Sequence, residues 1–144
     1  MSRMKLEELK KADSKDVKRI NLLLKQLSES YRGRSASKIG ETLGNKMTEV
    51  WVAREEGDIV GIAVLVLVQS LQTMAAHIED VVVDESQRGK GLGTQLMDKL
   101  IERAKKRGAL HIDLTSRPSR VAANALYHKL GFEQRDTNMY RLKL

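Results

Sequence analysis

Arg88, Gly89, Lys90, Gly91 and Gly93 put three glycines and two cations into six residues. They follow the apolar run Val81, Val82 and Val83, and they precede Leu92, Leu96, Leu100, Ile101 and Ala104, which recur at helical spacing. A strand that enters a glycine loop and then a helix is predicted. Glycines let backbone N–H groups converge without Cβ interference. The first turn of a helix adds N–H groups with no intrahelical partner and a partial positive charge. A phosphate or pyrophosphate suits such a loop, held by the amides of residues 88–94 with charge-assisted help from Arg88 and Lys90. The same residues have a plainer use: a tight strand-to-helix turn with exposed cations, Thr94 serving only the helix start.

Spacing separates this loop from two familiar phosphate binders. No Lys-Ser or Lys-Thr pair follows a glycine, as G-x-x-x-x-G-K-[ST] requires. Gly89, Gly91 and Gly93 write G-x-G-x-G, one residue short of the dinucleotide pattern G-x-G-x-x-G. What the loop does write is R-x-x-G-x-G, from Arg88, Gly91 and Gly93. A second pattern lies downstream in Ala122, Ala123, Asn124, Ala125, Leu126, Tyr127, His128, Lys129, Leu130, Gly131 and Phe132. Leu126 and Leu130 are one helical turn apart, and Gly131 stands where a helix C-cap belongs.

These two patterns, in this order and about a helix plus a strand apart, resemble motifs A and B of the GNAT family of N-acetyltransferases. The resemblance runs from about residue 48 to the C-terminus; the earlier part follows the family only in its coarse order of a strand and then helices. It implies acetyl-coenzyme A as co-substrate. The pyrophosphate would lie on the amides of Arg88, Gly89, Lys90, Gly91, Leu92, Gly93 and Thr94, and the pantetheine arm would pair like an added strand with Val81, Val82 and Val83. Backbone donors there would polarise the thioester carbonyl. Tyr127 is implied as the acid that meets the departing thiolate; its plainer use is packing. A phenol ordinarily titrates near 10 and a thiol near 8.5, so complete transfer costs about 2 kcal/mol and a hydrogen bond matters more.

Many members carry an asparagine about two turns before that tyrosine. Here Arg120 holds the place, and Asn124, on the same helical face as Tyr127, is the substitute for that cofactor contact. The family often places a glutamate near Glu79, acting as base through water; an ion pair with a neighbouring cation is the competing use. On a strand, Glu79 and Asp80 would face opposite sides of the sheet. The acceptor sets how much base is needed: a lysine-like amine costs about 4.6 kcal/mol to deprotonate at pH 7, an α-amine only about 1 kcal/mol. The run from His77 to Val83 looks especially like glucosamine-6-phosphate acetyltransferases, but residues 114–124 depart from that subgroup and its substrate is not carried over. Acceptor contacts are expected from residues 31–37, 69–73, 116–117 and 135–138.

At 144 residues the chain is read as one domain, residues 1–144. It has no cysteine, which excludes disulfides, thiolate metal sites and a cysteine acyl-enzyme, so direct attack of an amine on the thioester in a ternary complex is favoured. His77, His111 and His128 lack metal-ligand spacing, and no metal is expected. No signal peptide or membrane span is legible, and a cytoplasmic protein is expected. The net charge of +7 favours an anionic partner, and coenzyme A suffices to use it. A nucleic-acid partner is disfavoured because no basic stripe is interleaved with aromatics, which form only 3% of the chain. The family resemblance adds a possible homodimer.

The elements that must position these residues follow from periodicity. A weak strand is predicted over 5–9, a helix over 14–30, and a short helix over 39–43. A strong hairpin is predicted from strands 50–54 and 59–68, then strand 75–83. Helix 91–107, strand 112–115, a helix ending at Lys129 and a last strand pair, 132–134 and 139–142, complete the reading. The fold class is α/β: a mixed, mostly antiparallel central sheet with helices on both faces. The function expected is transfer of acetyl from acetyl-coenzyme A to a primary amine of a small molecule. The alternatives are a protein or peptide amine as acceptor, or a catalytically silent module that binds acyl-coenzyme A or nucleic acid.

Overall fold

The computed structural model describes residues 3–144. Its contacts divide the chain into two compact units, Met1–Leu114 and Thr115–Leu144. The first unit contains β1 (Met4–Glu8), α1 (Ser14–Leu27), α2 (Ala36–Leu43), β2 (Thr48–Glu55), β3 (Asp58–Gln69), β4 (Met74–Val83), α3 (Leu92–Lys106) and β5 (Ile112–Asp113). The sheet order is β1-β2-β3-β4-β5, antiparallel throughout except for the parallel β4–β5 pair.

Asp13, rather than Ser14, caps α1: its side chain accepts the Asp16 N–H at 2.8 Å, and Asp16 answers with a capping-box bond to the Asp13 N–H. Ile20 and Leu23 then join Val50, Val52, Ile62 and Val64 in the core on one sheet face. On the other, Leu96, Met97 and Leu100 of α3 are fully buried, each contributing roughly 1.5–3 kcal/mol by leaving water. Gly61 admits this approach, because a Cβ there would lie 3.1 Å from Leu96 Cδ1. The hairpin between β2 and β3 turns through Glu56 and Gly57, both at positive φ.

Two features of β4 matter for the site. Its ladder with β3 slips between Ile62↔Val82 and Val64↔Glu79, so Asp80 and Val81 together face a single β3 position. Asp80 adopts φ 53 at this bulge. On its other side, β4 pairs with β5 only at Ala76↔Ile112 and His77↔Asp113. Among the described residues, that edge has no ladder partner from Ile78 to the end of β4.

In the second unit, α4 (Val121–Lys129) ends in a Schellman motif: the Phe132 N–H reaches Tyr127 O and the Gly131 N–H reaches His128 O, both at 3.0 Å, with Gly131 at φ 97. The last strand pair predicted from sequence is not formed. Residues 132–142 contain no strand, and Met139, Tyr140 and Leu142 are exposed. Two runs of three or four residues, separated by a polar stretch, make too short a ribbon to hold itself together.

Candidate active site

The phosphate-loop candidate begins at a fixed point. Asp84, 9% exposed, accepts Arg19 Nη2 at 2.7 Å and the Ser86 N–H at 3.2 Å, while its own N–H donates to Val60 O at 2.8 Å. Arg19 also donates from Nε to Ile59 O at 2.9 Å, tying α1 and β3 to the loop's entry. The Arg19 guanidinium holds the Asp84 carboxyl below the usual carboxylate range. Neither Arg19 nor the anchoring use of Asp84 was legible in the sequence, since the two lie 65 positions apart.

Beyond this anchor, a short 3-10 turn, Glu85–Gln87, leads to Gly89 (φ 80) and Gly91 (φ 79). A Cβ at either position would meet nothing within 4 Å, so both glycines serve backbone conformation and leave open space on their faces. Gly91 is the N-cap of α3 and supplies no side-chain cap, leaving the amides of Leu92, Gly93 and Thr94 free for an outside acceptor. Exposed Arg88 donates from Nε to Val83 O at 3.2 Å, and exposed Lys90 reaches Gln87 Oε1 at 3.3 Å. The Asp84 N–H points to β3, so strand alternation turns the amide of Val83 to the opposite, unpaired edge of β4. Val81, Val82 and Val83, the open edge and the amide cradle thus occupy one end of one strand.

A cavity of about 450 Å³ lies in the same unit between α1, α2 and the sheet. Leu24, Leu27, Ile39, Val50, Ile62 and Val64 give it an aliphatic floor; Arg34, Lys38, Glu41 and Asp80 supply its charged groups, and Ser28, Tyr31 and Thr42 its hydroxyls. Tyr31 and Arg34 belong to a segment expected to meet the acceptor. Asp80, weighed beside Glu79 from sequence but assigned no role, is taken out of simple alternation by the bulge and lines this cavity. Asp80 is itself exposed; the protein atoms packed around its carboxyl push it up, and Arg34 pulls it partly back. Glu79, the glutamate implied by resemblance, is exposed opposite Val64 in the ladder and is not among the cavity's lining residues.

In the second unit Tyr127 is 8% exposed, its ring edge-on to Phe132 with centroids 6.0 Å apart. This contact is the apolar clasp of the Schellman motif. Among the described residues, its hydroxyl has no hydrogen-bond partner. Asn124 Nδ2 donates to Arg117 O at 3.0 Å, which closes the entry to α4 and leaves Oδ1 free. No group of three or more His, Cys, Asp or Glu residues among those described is arranged to hold a metal, and no helix described is long and apolar enough to cross a membrane.

Comparison with known proteins agrees with the fold. The chain is 35% identical over 88 residues to L-2,4-diaminobutyric acid acetyltransferase of Marinococcus halophilus, a match covering 61% of this chain and 50% of that protein. It is 35% identical over 96 residues to glucosamine 6-phosphate N-acetyltransferase of Trypanosoma brucei brucei, covering 65% and 63% respectively. The chain therefore spans about half to three-fifths of these relatives. Among solved structures, a Trypanosoma brucei acetyltransferase superposes with TM-score 0.81 at 30% identity, over 99% of this chain and 100% of that one. A putative acetyltransferase from Agrobacterium tumefaciens gives 0.84 at 25%, over 96% and 99%. The profile of the acetyltransferase (GNAT) family matches residues 20–132, which include both the glycine loop and the helix of Tyr127, and the chain belongs to that family.

Proposed function

We propose that the protein transfers an acetyl group from acetyl-coenzyme A to a primary amine of a small molecule, by direct attack within a ternary complex. One observation carries the reading: an uncapped helix start behind two left-handed glycines stands at the end of a strand whose edge is open beyond His77. The cradle suits a diphosphate and the open edge suits an extended amide-bearing arm, which are the two halves of coenzyme A. The two named relatives, with diaminobutyric acid and glucosamine 6-phosphate in their names, support a small-molecule amine.

In the reaction, the neutral amine attacks the thioester carbonyl carbon, a C–N bond forms and the C–S bond breaks. The ammonium proton passes to a carboxylate, directly or through water, and the thiolate takes a proton or a hydrogen bond from a phenol. Val81, Val82 and Val83 bind and orient the arm. Arg88, Lys90 and the amides of residues 88–94 hold the phosphates. Tyr127 serves the thiolate, Asn124 contributes a cofactor contact through Oδ1, and Glu79 is the carboxylate the family resemblance favours for the amine proton.

The test is an acceptor screen read by thiol release with acetyl-coenzyme A, beside calorimetric titration of the cofactor. Turnover with small amines supports the reading. Turnover confined to peptides favours a protein amine as acceptor. Cofactor binding with no turnover on any amine identifies a silent module, and the absence of cofactor binding removes the loop assignment.

A further inference from the structure

The cavity between α1, α2 and the sheet carries an unusual charge arrangement. Lys38 and Glu41 pair with each other at 3.4 Å, so their charges offset. Arg34 and Asp80 do not: among the described residues neither side chain has a hydrogen-bond or ion-pair partner, and they lie outside ion-pair distance of each other. Two opposite charges, both exposed and neither paired, therefore line one pocket whose floor is aliphatic.

Resting on the acetyltransferase reading, we propose that this cavity selects an amino-acid acceptor: a zwitterion whose amine lies at Asp80, whose carboxylate lies at Arg34 and whose aliphatic body covers Leu24, Leu27, Ile39, Val50, Ile62 and Val64. The amine end is fixed by position. Asp80 directly precedes Val81, where the edge assigned to the acetyl-bearing arm begins, whereas Arg34 stands on the α1–α2 connection.

Arg34 is held ready for this role. Asn21 Oδ1 accepts the Arg34 N–H at 2.9 Å and also the Tyr31 hydroxyl, while Asn21 Nδ2 donates to Arg34 O at 3.0 Å. The backbone of Arg34 is thus clamped to α1 while its guanidinium stays free. Pre-ordering of this kind lowers the entropy lost on binding. Asp80 tolerates its φ of 53 because aspartate is among the residues that enter the left-handed region at low cost. Competing acceptors fit less well. A diamine would set its second cation against Arg34. A sugar would lay much of its hydroxylated ring on the aliphatic floor, with only the polar groups at the cavity's edge to bond it, and each hydroxyl left unbonded costs roughly 1–3 kcal/mol.

The experiment compares matched acceptors with and without the carboxylate: leucine against 3-methylbutylamine, and 5-aminopentanoate against butylamine, by thiol release with saturating acetyl-coenzyme A. The better amino acid is expected to exceed its decarboxylated partner in kcat/KM by about tenfold to a hundredfold, the usual worth of one charge-assisted hydrogen bond. Arg34→Met should collapse that ratio towards one, chiefly through KM, and Arg34→Lys should restore part of it. Asp80→Asn, which keeps the backbone conformation, should depress both members of each pair. Equal or reversed preference in the unmodified protein, or a preference that survives Arg34→Met, would overturn the proposal while leaving the transferase reading standing. No thiol release from any amine would overturn both.

Discussion

At the scale of single residues, the loop glycines are the sharpest test. Gly91 combines φ 79 with open space where a side chain would project. Gly91→Glu is expected to abolish coenzyme A binding in calorimetry by placing a carboxylate in the cradle. It should cost only about 1–2 kcal/mol in urea denaturation, the strain of a non-glycine residue in the left-handed region. Tyr127 makes a different prediction. Tyr127→Phe keeps the ring against Phe132, so the Schellman clasp survives. Cofactor affinity should hold within about threefold while kcat falls by about 10²-fold or more, the range for a lost general acid. Unchanged kcat across the pH profile would remove the phenol from the reaction. Both positions were legible in the sequence because their neighbours are local: a glycine pattern and a helix-ending leucine-glycine pair carry their own geometry. Asp80 was not, since alternation along a strand says nothing of a bulge that no glycine announces, and the counting of faces fails beyond it.

Elements bring together what no local pattern contains. Arg19 reaches from α1 to Ile59 O on β3 and to Asp84 at the head of the loop. Arg19→Met would leave the buried Asp84 carboxylate without its main counter-charge. A loss of about 1–3 kcal/mol in stability is expected, with a cofactor affinity weakened about tenfold or more by a loosened loop entry. Calorimetry and urea denaturation on the same variant check both, and an unaffected affinity would show that the anchor is purely structural. The strands of the hairpin and the helix after the loop were legible because their apolar periods are long and undisturbed. The pair predicted over 132–134 and 139–142 failed for the opposite reason. Too few apolar residues lie in it to outweigh the entropy of ordering them.

Across the first unit as a whole, one buried electrostatic knot lies on the α3 side of the sheet. Glu49, 2% exposed, accepts Arg103 Nε at 2.8 Å, Arg107 Nη1 at 2.6 Å and Trp51 Nε1 at 3.0 Å. Burial by itself would push this carboxyl up; the bonds from Arg103, Trp51 and Arg107 outweigh it and bring it to about 2. Because the folded value lies below the unfolded one, this stabilisation is fully present above the ordinary glutamate range. It is lost as pH falls towards the folded value of about 2. Up to about 3 kcal/mol is at stake over that window. Urea midpoints measured from pH 6 down to pH 2 should fall accordingly, and Glu49→Gln should start lower at pH 6 and decline less steeply. Matching slopes would mean that other carboxylates govern acid unfolding. None of this knot could be read from sequence, since Glu49 and Arg107 are 58 positions apart.

Trp51 belongs to the same knot, and it is the chain's one tryptophan. Its indole N–H is bonded to Glu49, and the Lys99 ammonium sits over its ring, 5.2 Å from the centroid. The protein thus comes with a built-in optical probe at the seam between β2 and α3. Its emission can follow acidification, thermal melting or a repacking mutation at that seam without any dye or label.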